Sequence, residues 1–441
     1  MLAVMYPSLF KGVGGPSLSS IERIGVLGHS WVRSSVTEWG ATVGGVRATA
    51  KGWPFHAGML SGRKFWVDPF ACEGYSGFRT DQIQAAILPA GSMTSYGPTG
   101  QKVSVPYGIR STGVKRAMVC ALINDLTYEG GLQGTTTPTT TAAITRLRSL
   151  WAAVRSFGIE PVNISIGPRN DSYSGAIPAW FAAEAAAAAA DGVQNIDILT
   201  PCSNNGMTWK LGYDWANGVE DPTFLHPGAD GCWLGIAPAI AAAITSTRTQ
   251  CPTLTTATQA TLVRGAQSVA VSVISTGWDG LFGSASNWPA RFSTGGTPTR
   301  SVSSGGIAQV GNRFQVACAP QATNFQTDFV SPTLTGLTIG QRYGVLLRVK
   351  FDAGAARPTT GNLADVFALT IEDTSFNAIG GFTSGGSDSY SVAGASIPEA
   401  DYYVEFVATA TSHRFRADQV TRTTSTGTLL HMAQAGALVA V

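Results

Sequence analysis

Apolar positions gather into short runs in the first half of the chain. Residues 21–27 form one such run, closed by Gly28, the pattern of a buried strand. Runs of the same kind recur at 116–123, 161–166 and 195–200. Between them the apolar period becomes helical. Residues 141–157 carry Ile144, Leu147, Leu150, Trp151 and Val154 along one stripe. Residues 177–190 are alanine-rich, with Pro178 near the start and Gly192 just past the end, the usual asymmetry of a helix. A last helix is predicted over 231–245. Strands alternating with helices predict a parallel sheet flanked by helices.

The pattern changes near residue 250. Thr, Ser and Gly dominate from Thr253 onward, and alternating apolar runs occupy 314–318, 343–351, 366–371 and 402–409. Turn residues separate them at fairly regular intervals, which predicts an all-β sandwich or jelly roll. The predicted organisation is an N-terminal arm over 1–20, an α/β unit over 21–250, a boundary region over 251–285 and a β-sandwich over 286–441. The Thr/Gly-rich segment 130–141 is a loop within the first unit, because strand–helix alternation continues beyond it.

Composition narrows the partners. Charged residues make up only 13% and the net charge is +2, so the chain lacks the basic footprint of a nucleic-acid binder. No stretch is long enough to predict a membrane span. The first ten residues lack the basic region and cleavage site of a signal peptide. Low charge with abundant Gly, Thr and Ser suits an extracellular or virion-associated protein. Six cysteines and five histidines form no zinc-binding spacing. Cys120, inside an apolar run, is expected to be a buried thiol, while a Cys232–Cys251 or a Cys202–Cys232 bridge is compatible with the spacing.

Four pieces carry chemistry. The first is Gly28-His29-Ser30, directly after the first predicted strand. Ligands of open parallel sheets bind at the carboxyl ends of strands, so Ser30 sits where a nucleophile would, although serine there is also a common helix N-cap. The second is Glu73-Gly74-Tyr75-Ser76-Gly77, whose small residues let a backbone N–H face a substrate. The third is Asn124-Asp125, a polar pair ending the run 116–123 and pointing to the rim of an active site. An asparagine amide there can donate to an oxyanion. The fourth is Asp221-Pro222-Thr223-Phe224-Leu225-His226, ahead of the last predicted helix. His226 can act as general base toward a serine hydroxyl, with a carboxylate fixing its tautomer.

In this order and placement the four pieces resemble the SGNH (GDSL-like) hydrolase family over about residues 20–247. The resemblance implies a three-layer α/β/α fold and ester hydrolysis without metal or organic cofactor. It implies Ser30 as nucleophile, His226 as base, and an oxyanion hole made of the Ser30 N–H, the Gly77 N–H and the Asn124 side chain. The chain departs from the family at three points. His29 stands where Asp is usual, Leu122 where Gly is usual, and Thr223 where the acid three residues before the histidine is usual. Asp221 is the favoured acid; Glu220 or a Ser–His dyad are the alternatives.

Other residues weigh less. Glu73 and Asp81 could be paired carboxylates of a glycoside hydrolase but are expected to be ordinary turn residues. His56, next to Trp53, Pro54 and Phe55, is expected to pack or to line a cleft. Tyr128, Trp209, Tyr213 and Trp215 lie on predicted loops, where they could stack on sugar rings or anchor the loops. Trp278, Trp288, Phe376, Tyr390, Tyr402 and Tyr403 are the aromatic candidates of the β unit. The expected activity is O-deacetylation, or similar ester cleavage, of a polysaccharide. A receptor-binding or structural virion protein on a degenerate fold and a lipase or thioesterase are the rivals. Homo-oligomerisation is left open.

Overall fold

A computed structural model of the chain describes residues 22–39, 45–48, 52–61, 64–88, 108–127, 139–210, 213–214, 225–228 and 231–245. Beyond these it describes 290–294, 299–304, 312–318, 325–330, 334–335, 337–353, 366–373, 375, 378–383, 400–421 and 429–440. The chain runs through strand β1 (Glu22–Gly28), the one-turn helix α1 (Ser30–Arg33), the hairpin β2 (Val36–Trp39) and β3 (Gly45–Ala48), and helix α2 (Trp53–Leu60). Next come β4 (Phe65–Gly74), α3 (Thr80–Ile87), α4 (Gly108–Ser111), β5 (Arg116–Cys120), α5 (Thr140–Ser156) and β6 (Glu160–Ile164). Then follow α6 (Ile177–Ala190), β7 (Gln194–Ile196), α7 (Leu199–Cys202), a π-helical stretch Gly231–Ile236 and α8 (Ala237–Ala243).

Five strands form one sheet in the order β4-β1-β5-β6-β7, every neighbouring pair parallel. From β1 the chain moves out to β4, then returns past β1 to β5. The reversal opens a crevice at the carboxyl ends of β1 and β5, the usual ligand site of such a sheet. The central strands are apolar on both faces: Ile24, Val26 and Leu27 of β1 and Ala117, Met118 and Val119 of β5 are fully buried. Helices α3, α5 and α6 pack side by side and α2 packs against α8, so helices flank the sheet and complete a three-layer α/β fold. The bidentate Arg116–Glu22 pair, both contacts 2.6 Å, ties β5 to β1 at the opposite end from the crevice.

Several elements differ from the predicted ones. The strand expected over 116–123 ends at Cys120, because Leu122 turns into the left-handed region at φ 70°. The run 195–200 is a three-residue strand followed by α7. The last helix opens as a π-helix, where Gly231 lies so close to the Tyr213 carbonyl that a Cβ would approach its oxygen to 2.1 Å. Strand β4 was not predicted, since Asp68 and Pro69 interrupt its apolar pattern. Its pairing with β1 jumps from Ile24↔Val67 to Val26↔Cys72, a bulge that accommodates both residues. The possible Cys202–Cys232 bridge does not form: both residues are buried thiols, as are Cys72 and Cys120, while Cys251, the other candidate partner of Cys232, lies outside the described residues.

Among the described residues, the elements of the last part of the chain are all strands: β8 (Ala290–Thr294), β9 (Thr299–Ser304), β10 (Asn312–Cys318), β11 (Phe325–Val330), β12 (Leu334–Thr335), β13 (Arg342–Ala353), β14 (Val366–Glu372), β15 (Ala378–Thr383), β16 (Ala400–Val407), β17 (Ser412–Thr421) and β18 (Leu429–Ala440). One antiparallel sheet has the order β16-β13-β18-β10-β9. The other runs β2-β3-β15-β14-β17-β11-β8, with β12 also on β17. The β2–β3 hairpin, which leaves the α/β part directly after α1, thus forms the edge of this second sheet. It pairs in parallel with β15 through Gly381↔Arg47 and Phe382↔Ala48. An ion pair adds a second connection, Arg342 at the start of β13 meeting the fully buried Asp68 of the β4 bulge. The expected boundary 251–285 lies outside the described residues, as do Trp278, Trp288, Phe376 and Tyr390. Among the described residues no helix is long and apolar enough to cross a membrane.

Candidate active site

The carboxyl end of β1 is built for close approach. A Cβ on Gly28 would come within 2.2 Å of the Cys120 carbonyl oxygen, and one on Gly74 within 2.1 Å of the Arg33 nitrogen. Glycine at both positions lets α1 settle against the ends of β4 and β5. The backbone stays paired up to this point, with the His29 N–H bound to the Cys120 carbonyl at 3.2 Å and the Tyr75 N–H to the Gly28 carbonyl at 2.9 Å. Ser30 is the first residue of α1. Its Oγ lies 2.6 Å from His226 Nε2, a hydrogen bond across 196 residues of sequence.

His226 reaches this position from a short described segment, 225–228. Pro227 bridges to Asp214, and the Gly228 N–H donates to the Tyr213 carbonyl at 2.8 Å. Asp221 and Glu220, the sequence candidates for the orienting acid, lie outside the described residues. Asp214, which the sequence reading did not single out, is buried and accepts a 2.8 Å hydrogen bond from Asn170 Nδ2.

Gly77 and Asn124 come from the neighbouring strand ends. Gly77 sits at φ 76°, a conformation that favours glycine, in the turn after β4. Among the described residues nothing accepts a hydrogen bond from the Ser30 or Gly77 N–H. Asn124 is buried, and its Nδ2 donates to the Phe78 carbonyl at 2.9 Å. An amide carries two N–H bonds, so one remains for another acceptor. Asp125, expected at the rim, turns inward instead. It accepts from the Thr80 N–H at 2.8 Å, the Thr80 hydroxyl at 2.6 Å and Arg146 Nε at 2.7 Å, pinning the 121–127 segment to α3 and α5.

His29, directly before the nucleophile candidate, caps the short helix. Its Nδ1 accepts from the Trp31 N–H at 3.3 Å, capping α1. That role requires the lone pair on Nδ1, so the ring proton belongs on Nε2, 3.6 Å from the Cys120 sulfur. Burial, and then the charges of His226 and Arg169, hold its pKa down at about 3, so the ring is neutral through the physiological range. The same burial pushes the Cys120 thiol up, leaving it protonated.

Behind the site, the segment after β6 is tightly held. Fully buried Glu184 of α6 accepts from Asn163 Nδ2 and from the Ile166 N–H, each at 2.7 Å, and burial raises its pKa to about 7. Arg169 is buried, pairs with Asp171 through Nε and Nη2, and donates from Nη1 to the Ile123 carbonyl at 2.9 Å. Sequence reading missed this arginine. Its signal was the polar cluster Arg169-Asn170-Asp171 shortly after another buried strand.

The weaker candidates resolve into structural roles. His56 stacks on Trp233 with ring centroids 3.6 Å apart, so it packs. Glu73 accepts from the Tyr75 hydroxyl at 2.7 Å and from the Ile109 N–H, and Asp81 pairs with Arg79. Trp209 is buried against Trp31 and anchors its loop, while Tyr213 is half-buried. Tyr128 and Trp215 lie outside the described residues. Among the described residues no group of three His, Cys, Asp or Glu side chains could hold a metal.

The parallel sheet and its flanking helices define a three-layer α/β domain. Three solved structures are similar to part of the chain. A GDSL-like lipase from Bacteroides thetaiotaomicron is 13% identical with a TM-score of 0.33, over 53% of this chain and 93% of that one. An acetyl xylan esterase is 12% identical with a TM-score of 0.33, over 50% and 99%. An alpha/beta hydrolase from the metagenome of Lake Arreo, Spain, is 12% identical with a TM-score of 0.35, over 54% and 97%. No family model matches the chain, and no curated protein does.

Proposed function

We propose that the protein is a serine esterase that removes O-acetyl or similar acyl groups from a polysaccharide, acting outside the cell or on a virion. The observation that carries this reading is the 2.6 Å contact between Ser30 Oγ and His226 Nε2 at the carboxyl end of the parallel sheet. A neutral imidazole at that distance can take the hydroxyl proton as Oγ attacks the acyl carbon. The carbonyl oxygen, now negative, is met by the Ser30 and Gly77 N–H groups and the second amide N–H of Asn124. The protonated His226 returns its proton to the departing sugar oxygen as the C–O bond breaks. Water, deprotonated by His226, then hydrolyses the acyl-serine and regenerates the hydroxyl. Asp221 is our choice for the acid that steadies the imidazolium.

The polysaccharide part of the reading rests on the strand-rich C-terminal part of the chain, an architecture shared by lectin-type domains. The test compares wild type with Ser30→Ala on a small acetyl ester, then measures acetate released from a panel of acetylated polysaccharides. Hydrolysis by wild type and its loss in Ser30→Ala are expected. Equal turnover by the two proteins sinks the esterase; a preference for long acyl chains replaces the polysaccharide with a lipid.

A further inference from the structure

Leu122 is the one non-glycine residue with a positive φ among the described residues, at 70°. It stands two residues before Asn124, and it is buried, so its side chain cannot relieve the conformation by moving into solvent. A left-handed non-glycine residue is strained and persists only where its surroundings over-determine it. Here they do so through identifiable bonds. The Ile123 N–H closes back onto the Ala121 carbonyl at 2.9 Å, and the Leu122 N–H meets the Thr80 hydroxyl at 3.4 Å. The Ile123 carbonyl, on the peptide that joins Ile123 to Asn124, is held at 2.9 Å by Arg169 Nη1. Arg169 is itself fixed, its other nitrogens on Asp171 and its own N–H on the Met207 carbonyl at 3.0 Å.

We propose that Arg169 is a positioning residue for the oxyanion hole: by clamping the Ile123 carbonyl it holds the strained 121–124 turn, and with it the Asn124 amide, in the orientation that the transition state needs. The inference rests on the serine-esterase reading for its catalytic consequence. The clamp itself is a statement about the turn. Arg169 touches neither Ser30 nor the acyl group; it acts through the backbone, and its effect falls on the step in which negative charge develops. Substrate binding in the ground state is little affected, so kcat falls and KM does not.

The test uses the full chain and the variants Arg169→Lys and Arg169→Gln. On an acetyl ester, kcat is expected to fall about 10- to 100-fold in Arg169→Gln at nearly constant KM, short of the loss that follows outright removal of an oxyanion donor. Arg169→Lys, which keeps a cation but cannot bind Asp171 and the carbonyl together, should fall between. Amide hydrogen exchange across 121–127 should speed up in the same order, while exchange in β1 and α5 stays unchanged. If Arg169→Gln does not fold, Asp171→Asn loosens the anchor and leaves the guanidinium in place; it should show the same split in kcat and KM. A folded Arg169→Gln protein with wild-type kcat, or with wild-type exchange at 121–127, overturns the clamp. Absence of esterase activity in the wild type would count against the proposed function instead, and the exchange measurement would still decide the role of Arg169.

Discussion

A single methyl group separates tolerated from untolerated sequence at the end of β1. Gly28→Ala would drive a Cβ to 2.2 Å from the Cys120 carbonyl oxygen and 2.8 Å from Val32, forcing β1 and β5 apart where Ser30 is mounted. We expect this variant to lose several kcal/mol, on the order of an overpacked core or more, measured as a lowered midpoint of urea unfolding. An unshifted midpoint would mean the crevice can widen. Ser30 and Asn124 were legible as candidates near strand ends and His226 as one before a helix, because apolar runs or a helical pattern flank them. Two features were not. Leu122 reads as an ordinary buried apolar residue, since nothing local announces a positive φ. Arg169 matters through a carbonyl 46 residues away in sequence, and contacts of that range leave no mark on periodicity.

The helices were the most readable elements. Residues predicted as 141–157 and 177–190 fold as α5 and α6 with at most one residue of difference at either end, because amphipathic or alanine-rich runs with clear ends leave few alternatives. Thr139 caps α5 through its hydroxyl, which accepts from the Ala142 N–H at 3.2 Å. Thr139→Ala should therefore cost about 1 kcal/mol of stability and leave kcat unchanged, a pairing that urea titration and an ester assay can check together. Strand β4 was illegible because its bulge puts a charge and a proline where alternation is expected. The partner that rationalises the charge, Arg342, lies 274 residues on. Arg342→Ala would leave the Asp68 carboxylate, which is fully buried, without that cation. We expect a loss of roughly 3 kcal/mol, since removing one member of a buried pair strands the other. Thermal unfolding that matches wild type would show that the bulge can rearrange.

Across the whole molecule, acid stability is set by buried groups of opposite sign. His29 titrates near pH 6.5 when unfolded and at about 3 when folded. Between these values the unfolded chain holds the extra proton, so this residue makes stability fall as pH falls, by about 1.4 kcal/mol per pH unit. His413, also held down by burial, works in the same direction. Glu184 is raised to about 7 from 4.5, so over that interval the folded chain holds the extra proton and stability rises as pH falls. Between about pH 4.5 and 6.5 the terms oppose each other. Glu184→Gln should steepen the acid loss of stability and His29→Asn, which keeps a capping acceptor, should flatten it; urea midpoints across pH 4.5–7 test both, and parallel profiles for all three proteins would argue against it. At this scale the parallel sheet was foreseen, but the β2–β3 hairpin was not, because its partner strand begins more than 300 residues later. Only Ser34 and Ser35 separate α1 from that hairpin. The C-terminal strands are therefore a poor cassette for protein engineering. A truncation after residue 250 would bare the backbone of residues 45–48 as an unpaired edge prone to sticking to other chains, on the hairpin that directly follows the helix carrying Ser30. Fusions that borrow the N-terminal half would have to excise the hairpin or supply it with a substitute neighbour.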